Sequence, residues 1–135
     1  MLPSLHDHFL ISYEVNCEER RITLRAQPDT RPDPAPNPAS DHIIVFEGVE
    51  GYHFWDDAFG NIIFSLTEIS IEKVLLDYRS EIGESFRMSG APGPWSADLD
   101  TANAILGAKG IRGFELSSSY GIHGWILAKE AAVKS

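Results

Sequence analysis

The segment "GYHFWDDAFGN", residues 51–61, concentrates groups that could do chemistry. It holds one imidazole, two adjacent carboxylates and four aromatic rings, and imidazoles and carboxylates serve acid–base catalysis and metal binding. Asp56 and Asp57 point to opposite faces of an extended chain, so they do not form a glycosidase pair by themselves. An EF-hand calcium loop is excluded, because aligning Gly60 with its glycine puts Trp55 and Phe59 at ligand positions. We therefore predict that "DDAFGN" reverses the chain between two strands, as a turn at the tip of an acidic hairpin.

A second arrangement of candidate ligands involves the histidines. On a strand His6 and His8 point the same way, which is the His-x-His geometry of several metal sites. Further ligands would have to come from distant parts of the chain. The full candidate metal set is His6, His8, His53, Asp57 and His123.

Motifs for nucleophilic catalysis and phosphate binding are missing from the sequence. The serines of "LSSSYG" lack the Gly-x-Ser-x-Gly elbow of hydrolases. "GAKG" and "GIHG" lack the spacing of a phosphate loop. We expect no catalytic residues, and a chain of 135 residues requires no cofactor to complete its core.

The charge is unevenly distributed along the chain. Twenty Asp and Glu against eleven Lys and Arg leave a net charge of −9, which argues against a nucleic-acid partner. No Lys or Arg occurs between Arg31 and Lys73. The acidic residues of that stretch are Asp33, Asp41, Glu47, Glu50, Asp56, Asp57, Glu68 and Glu72. The stretch predicts an acidic surface, which either only keeps the protein in solution or docks a basic partner.

Composition indicates one domain over residues 1–135. Apolar residues make up 43% of the chain, but no run reaches the roughly 20 residues that span a membrane. The N-terminus lacks the features of a signal peptide, so we expect a cytoplasmic protein that does not bind membranes. Cys17 is the only cysteine, which excludes an intrachain disulfide, and its apolar alternation predicts a small core residue.

The first half of the chain has the period of β-strands. Residues 9–17 alternate between apolar and polar side chains, which predicts a strand with its odd-numbered residues, from Phe9 to Cys17, on one face. A second strand is predicted to turn Ile22, Leu24 and Ala26 inward. Residues 28–41 hold five of the eight prolines and predict an exposed loop. Further strands follow around residues 42–55, with a bend near Gly48 and Gly51, and over residues 61–69.

The second half changes to a helical period. A helix is predicted over residues 71–82, capped by Ser70 and ended by Gly83, and a second over residues 97–107 with Ser96 or Asp98 as its cap. Between them, residues 84–96 predict a loop whose apolar side chains Phe86, Met88 and Trp95 cover the core. Two short strands about a turn at residues 119–121 close the chain. The fold class is α+β: an antiparallel sheet of about six strands with about two helices.

The stretches "LHDHFLISYEVN", "RRITLR", "IIVFEGVEGYHF" and "FGNIIFSL" resemble a pattern in small uncharacterised bacterial proteins. Some of those proteins are similar to immunity proteins of bacterial polymorphic toxin systems. The resemblance covers roughly residues 5–70 and brings no catalytic residues with it. It implies a protein that binds another protein.

Two hypotheses from different classes follow. The first is a non-enzymatic protein-binding module, immunity-type, whose acidic surface and aromatic anchors engage a basic partner. Its candidate contact residues are Tyr52, Trp55, Asp56, Asp57, Phe59, Glu47 and Glu50. The alternative is a metal-dependent hydrolase that uses the histidine and aspartate set above to activate water. A symmetric homodimer is compatible with either.

Overall fold

The computed structural model describes residues 2–29 and 41–134, and most of the predicted proline-rich loop at 28–41 lies outside them. The fold is α+β with one antiparallel sheet, as predicted, but the described chain has eight strands and three α-helices instead of about six and about two. The strands are β1 (Phe9–Asn16), β2 (Arg21–Gln27), β3 (His42–Glu47), β4 (Gly51–Trp55), β5 (Ile62–Ile69), β6 (Arg112–Tyr120), β7 (His123–Ala128) and β8 (Glu130–Lys134). The helices are α1 (Ile71–Asp77), α2 (Arg79–Ser89) and α3 (Leu99–Ala108), with a 3₁₀ turn at Pro94–Ala97.

The sheet curls until its two ends meet. Its strand order is β4-β7-β6-β5-β1-β2-β3-β8. β3 leads into β4 through a bend at Gly48, whose φ is 63°, and β7 leads into β8 through Lys129. Hydrogen bonds from the Glu50 amide to Leu127 (2.8 Å) and from the Lys129 amide to Glu47 (3.0 Å) join the two bends. Two long, bent strands therefore pair with each other and close the sheet around one core.

The interior of the curled sheet is apolar, and β2 supplies three of its fully buried side chains. Ile22, Leu24 and Ala26 are all buried, which confirms the predicted inward face of β2. The prediction for β1 is wrong in its first half, because a bulge between Leu10 and Ser12 changes the parity. Leu10 is buried there, and its neighbour Ile11 is exposed.

Beyond the bulge, β1 faces the interior as its alternation predicts. Tyr13 lies opposite Leu24 and Val15 opposite Ile22, so both side chains point to the concave side of the sheet. Cys17 follows in the turn to β2 and is exposed, so the prediction of a core cysteine is wrong.

The predicted helix over 71–82 is two helices that meet at Tyr78. Ser70 caps the first, as predicted, because its side chain accepts a hydrogen bond from the Lys73 amide (3.0 Å). Gly83 does not end the second helix; α2 continues to Ser89 and ends at Gly90, whose φ is 76°. A glycine inside a helix costs about 1 kcal/mol, and the buried Ile82 beside it outweighs that cost by packing. Residues 84–89 are therefore helical, where a loop was predicted.

The helices cover the outer face of the sheet with a second apolar layer. Trp125 and Leu127 of β7 face outward into it and meet Val74, Ile82 and Leu106 of the helices. Trp95 is buried in this layer, as predicted, whereas Met88 is exposed.

The predicted helix over 97–107 is α3, and Asp98 is its cap, since its side chain accepts from the Asp100 amide (3.0 Å). The closing pair of strands is confirmed as β6 and β7, but β6 runs through Tyr120, so the turn lies at residues 121–122 instead of 119–121. The strand β8 was missed. Within the described part of the chain, no helix is both long and apolar enough to cross a membrane.

Candidate functional site

Residues 56–61 connect β4 to β5 and do not form a hairpin turn. Two other strands, β7 and β6, separate β4 from β5 in the sheet, so the predicted hairpin is wrong. The connection instead runs beside β1. The Leu10 amide donates to the Asn61 carbonyl (3.1 Å), and the Tyr13 hydroxyl donates to Asp57 (2.8 Å). We call residues 56–61 the connecting loop.

Asn61 organises the connecting loop from a buried position, with only 3% of its surface exposed. Its Oδ1 accepts hydrogen bonds from the amides of Ala58 (3.0 Å) and Ile122 (2.8 Å), and its Nδ2 donates to Asp57 Oδ1 (2.9 Å). The backbone of Gly121 passes so close that an added Cβ would lie 2.1 Å from Asn61 Oδ1. Only glycine fits there, and the side chain of Asn61 ties the loop to the turn between β6 and β7.

Asp57 is the second fixed point of the loop. Besides Asn61 and Tyr13, it accepts a hydrogen bond from the Phe59 amide (2.9 Å). These bonds, that of Asn61 first, hold the pKa of the Asp57 carboxyl below its usual range, because they stabilise the ionised form. The bond to Asp57 also raises the pKa of the Tyr13 hydroxyl. Asp57, predicted as a contact residue or a metal ligand, has its oxygens occupied within the protein.

The same bonds leave Phe59 and Asp56 directed outward. Phe59 is 96% exposed, and its φ of 61° lies in a region that non-glycine residues rarely adopt. Asp56 has the same φ, and its side chain is 75% exposed. Its carboxylate lies 3.6 Å from His123 Nδ1. The connecting loop therefore exposes both an aromatic ring and a carboxylate on a hydrogen-bonded frame.

Four carboxylates of the acidic stretch pair with cationic side chains in the folded protein. Glu47 pairs with Arg21 (2.7 Å), and Glu50 lies 3.3 Å from Lys109. The same holds for two further carboxylates of that stretch, in the pairs Asp41–Arg25 and Glu68–Arg112. Arginines and a lysine from outside the stretch thus reach carboxylates that sequence alone leaves unpaired. Glu47 and Glu50, predicted as partner contacts, already have cationic partners.

β4 is a terminal strand of the sheet. One edge pairs with β7, and no strand of the described chain pairs with the other. Tyr52 lies opposite the core residue Ile126, so it faces the concave side, whereas His53 lies opposite Trp125 and faces the helices. Tyr52 is exposed, as its predicted contact role requires.

A cavity of about 590 Å³ opens on the concave side, between β4 and the end of the β1–β2 hairpin. Its aromatic wall consists of Phe54 with Tyr13 (ring centroids 5.5 Å apart) and Tyr52 (5.4 Å). Val15 and Ile22 also line it. A volume within the range of about 300–1,000 Å³ is typical of ligand clefts. We call this space the aromatic cavity.

On the other face of β4, Trp55 is half-buried in an aromatic stack. Its ring lies 5.6 Å from those of Tyr78 and His123 and 4.1 Å from that of His53. Tyr78 donates to Glu115 (2.9 Å), and burial first, with this bond second, raises the pKa of its hydroxyl. Trp55, predicted as a partner contact, therefore already packs within the protein.

A narrower cavity of about 310 Å³ lies between this face of β4 and α2. Glu81, Glu84 and Met88 line its helical side, and Tyr52 borders both this cavity and the aromatic cavity. We call it the acidic cavity. The two cavities are therefore adjacent, and Tyr52, His53, Ala91 and Pro92 line both.

The four predicted histidine ligands fall in two separate places, and His6 and His8 precede β1 instead of lying on a strand as predicted. His6 lies beside β5, with its Nδ1 3.3 Å from the Phe64 carbonyl, and His8 packs against His42 (5.1 Å between rings). His53 and His123 instead flank Trp55. Over residues 2–29 and 41–134, no group of three or more His, Cys, Asp or Glu side chains is arranged to hold a metal ion.

Sequence reasoning singled out Phe59 and Tyr52 but missed Asn61 and the aromatic cavity. The tendency of Asn side chains to bond nearby backbone was the available signal for Asn61. A scan against protein-family models, a search of curated proteins and a search of solved structures each gave no match for this chain. The chemistry of the site therefore has to be inferred from its own side chains.

Proposed function

We propose that this chain is a non-enzymatic module of the cytoplasm that binds a basic protein partner, in the manner of an immunity-type protein. The observation that carries the proposal is Phe59, almost fully exposed on a loop that hydrogen bonds hold in one conformation. Asp56, an exposed residue of the same loop, supplies negative charge. Both residues belong to the contact set that the sequence suggests.

The energetics favour Phe59 as an anchor. Burying a phenylalanine side chain against a partner gains about 1.5–3 kcal/mol. Ordering a flexible loop on binding subtracts from such a gain, but the bonds of Asn61 and Asp57 already order this one. Aromatic residues held rigidly at the centre of a contact are typical of binding hot spots.

Asp56 gives the contact its charge preference. Its only ion-pair neighbour in the described chain is His123, so no Lys or Arg neutralises it. A cationic side chain on the partner would pair with it at the rim of the contact. Charge at such a position acts mainly on the association rate. The net charge of −9 likewise speeds association with a basic partner by attracting it.

Replacing Phe59 tests the proposal, with Phe64 as the matched control. Phe64 is also an exposed phenylalanine (54%), but it lies on β5 and packs against His6. Tagged wild-type, Phe59→Ala and Phe64→Ala proteins are used to retain partners from lysate of the native host, with quantitative mass spectrometry. We expect Phe59→Ala to weaken retention of a specific basic protein about tenfold or more, and Phe64→Ala to retain it fully. Equal retention by all three proteins would contradict the proposal.

A charge reversal provides the second arm of the test. Asp56→Lys should slow association with the retained partner and reduce its salt dependence. Glu72→Lys makes the same charge change in the first turn of α1, and should leave association near the wild-type rate. Asp57→Lys is unsuitable, because it would break the bonds that shape the loop. Equal slowing by Asp56→Lys and Glu72→Lys would show that only net charge matters.

A further inference from the structure

We propose that the open edge of β4 accepts an extended segment of the partner as an added strand, with alternate side chains entering the aromatic and acidic cavities. The proposal rests on the proposed function, since it specifies how the protein partner is held. In strand addition, backbone hydrogen bonds supply affinity, and pockets for alternate side chains supply specificity.

The two ends of the sheet differ in how they are protected. Exposed edge strands invite pairing with other chains, and charged side chains commonly prevent it. β8 carries Glu130 and Lys134 within its five residues. β4, "GYHFW", carries no Asp, Glu, Lys or Arg. β4 therefore lacks charged side chains that would oppose an incoming strand.

The two cavities match the geometry of a strand laid along this edge. Successive side chains of a strand point to opposite faces of the sheet. One set would point to the concave side, where the rings of Tyr13, Tyr52 and Phe54 line the aromatic cavity. The other set would point toward α2 and the acidic cavity. An added strand would thus place side chains in both cavities at once.

The lining of the cavities indicates the sequence of the segment. Aromatic walls favour large apolar or aromatic side chains on the concave side. On the helical side, Glu81 has no ion-pair partner within the described residues, and Glu84 pairs with Arg87. Lys or Arg would complement Glu81. The segment therefore alternates aromatic with basic residues, which agrees with a basic partner.

A fluorescent peptide, Gly-Lys-Phe-Lys-Phe-Lys-Gly with blocked ends, is the direct probe. Its control, Gly-Lys-Lys-Phe-Phe-Lys-Gly, has the same composition without the alternation. We expect fluorescence anisotropy to show the alternating peptide binding the full chain about tenfold more tightly than the control.

Two further versions of the alternating peptide carry N-methyl groups on the backbone amides, one at both Phe residues and the other at the three Lys residues. Because alternate amides of an added strand face its neighbour, one version should lose binding and the other keep it.

Protein variants locate the binding. Tyr52→Lys places a charge at the open edge, and Tyr120→Lys makes the same change at an exposed tyrosine of β6. We expect Tyr52→Lys to weaken the alternating peptide about tenfold and Tyr120→Lys to change it less than about twofold. The peptide should also slow hydrogen exchange of backbone amides in residues 51–55 and leave residues 130–134 unchanged.

Three results would overturn strand addition at β4. Equal binding of both peptides would show attraction by charge alone. Equal effects of the two N-methylated versions would show that backbone pairing is absent. Dimerisation that protects residues 51–55 without peptide would show that the edge belongs to a second copy of this chain. If Phe59→Ala still releases the partner in any of these cases, the binding function stands and only its strand-addition mode fails.

Discussion

Replacing Asn61 with alanine tests whether the connecting loop is held as the structure shows. The change removes the acceptor of two backbone amides and the donor to Asp57. The amide of Ile122 becomes buried without a partner, which costs about 1–3 kcal/mol, and the more exposed amide of Ala58 loses a bond of about 0.5–1.5 kcal/mol. We therefore expect a loss of about 2–4 kcal/mol in the free energy of unfolding.

Urea unfolding followed by tryptophan fluorescence measures this loss, and calorimetry should show a melting temperature lower by roughly 6–16 °C. Asn103→Ala is the matched control, because Asn103 is an exposed residue of α3. It should change stability by less than about 0.5 kcal/mol. Asn61→Ala should also raise the pKa of Asp57, because the bond from Asn61 is the main cause of its depression. If Asn61→Ala is as stable as Asn103→Ala, the loop is not held by Asn61.

Two further predictions concern the frame around the site. Gly124→Ala should destabilise the protein by about 3 kcal/mol or more, because the added Cβ would lie 1.9 Å from the His53 carbonyl. The control Gly107→Ala, in open space within α3, should stabilise it by about 0.5–1 kcal/mol. Equal effects of the two changes in urea unfolding would refute the close approach of Gly124 to His53. Folding raises the pKa of Tyr78, so its neutral form is favoured in the folded protein. The stability that this contributes is fully present below the usual tyrosine pKa of 10.0, and it is lost as the pH rises through the raised pKa. Tyr78→Phe, which also removes the bond to Glu115, should therefore lose stability less steeply above about pH 10 than the wild type in alkaline unfolding; parallel losses would contradict this.

The features that sequence predicted correctly depend on neighbours along the chain. The inward face of β2 follows from a period of two, and the cap at Ser70 from a preference of the first helical turn. The bend at Gly48 likewise follows from the backbone freedom of glycine. Each of these signals is contained within a few residues.

The features that sequence missed depend on distant partners. Nothing within "DDAFGN" indicates that β7 and β6 lie between β4 and β5, so a local turn signal was taken for a hairpin. The arginines that neutralise Glu47 and Glu68 lie 26 and 44 positions away in the chain. The bulge in β1 has no glycine to mark it, and it reverses the face of Leu10 and Ile11.

In the candidate site, too, features that depend on chain neighbours could be predicted and features that depend on distant partners could not. Phe59 and Tyr52 could be picked out as candidate contacts because both lie in one short segment that combines aromatic residues with carboxylates and turn formers, and both are exposed. The role of Asn61 in holding the loop could not be predicted from sequence, because its partner Ile122 lies 61 residues away. The aromatic cavity could not be predicted either, because Tyr13 and Phe54 belong to strands that do not pair in the sheet.

Hydrogen exchange of the chain bound to its retained partner tests the central claim most directly. If the connecting loop and the edge of β4 form the contact, the partner should slow amide exchange in residues 51–60 and leave α3 and β8 at their free rates. Phe59→Ala should reduce that protection, and Phe64→Ala should not. Protection confined to other surfaces, with residues 51–60 exchanging as in the free protein, would contradict the account.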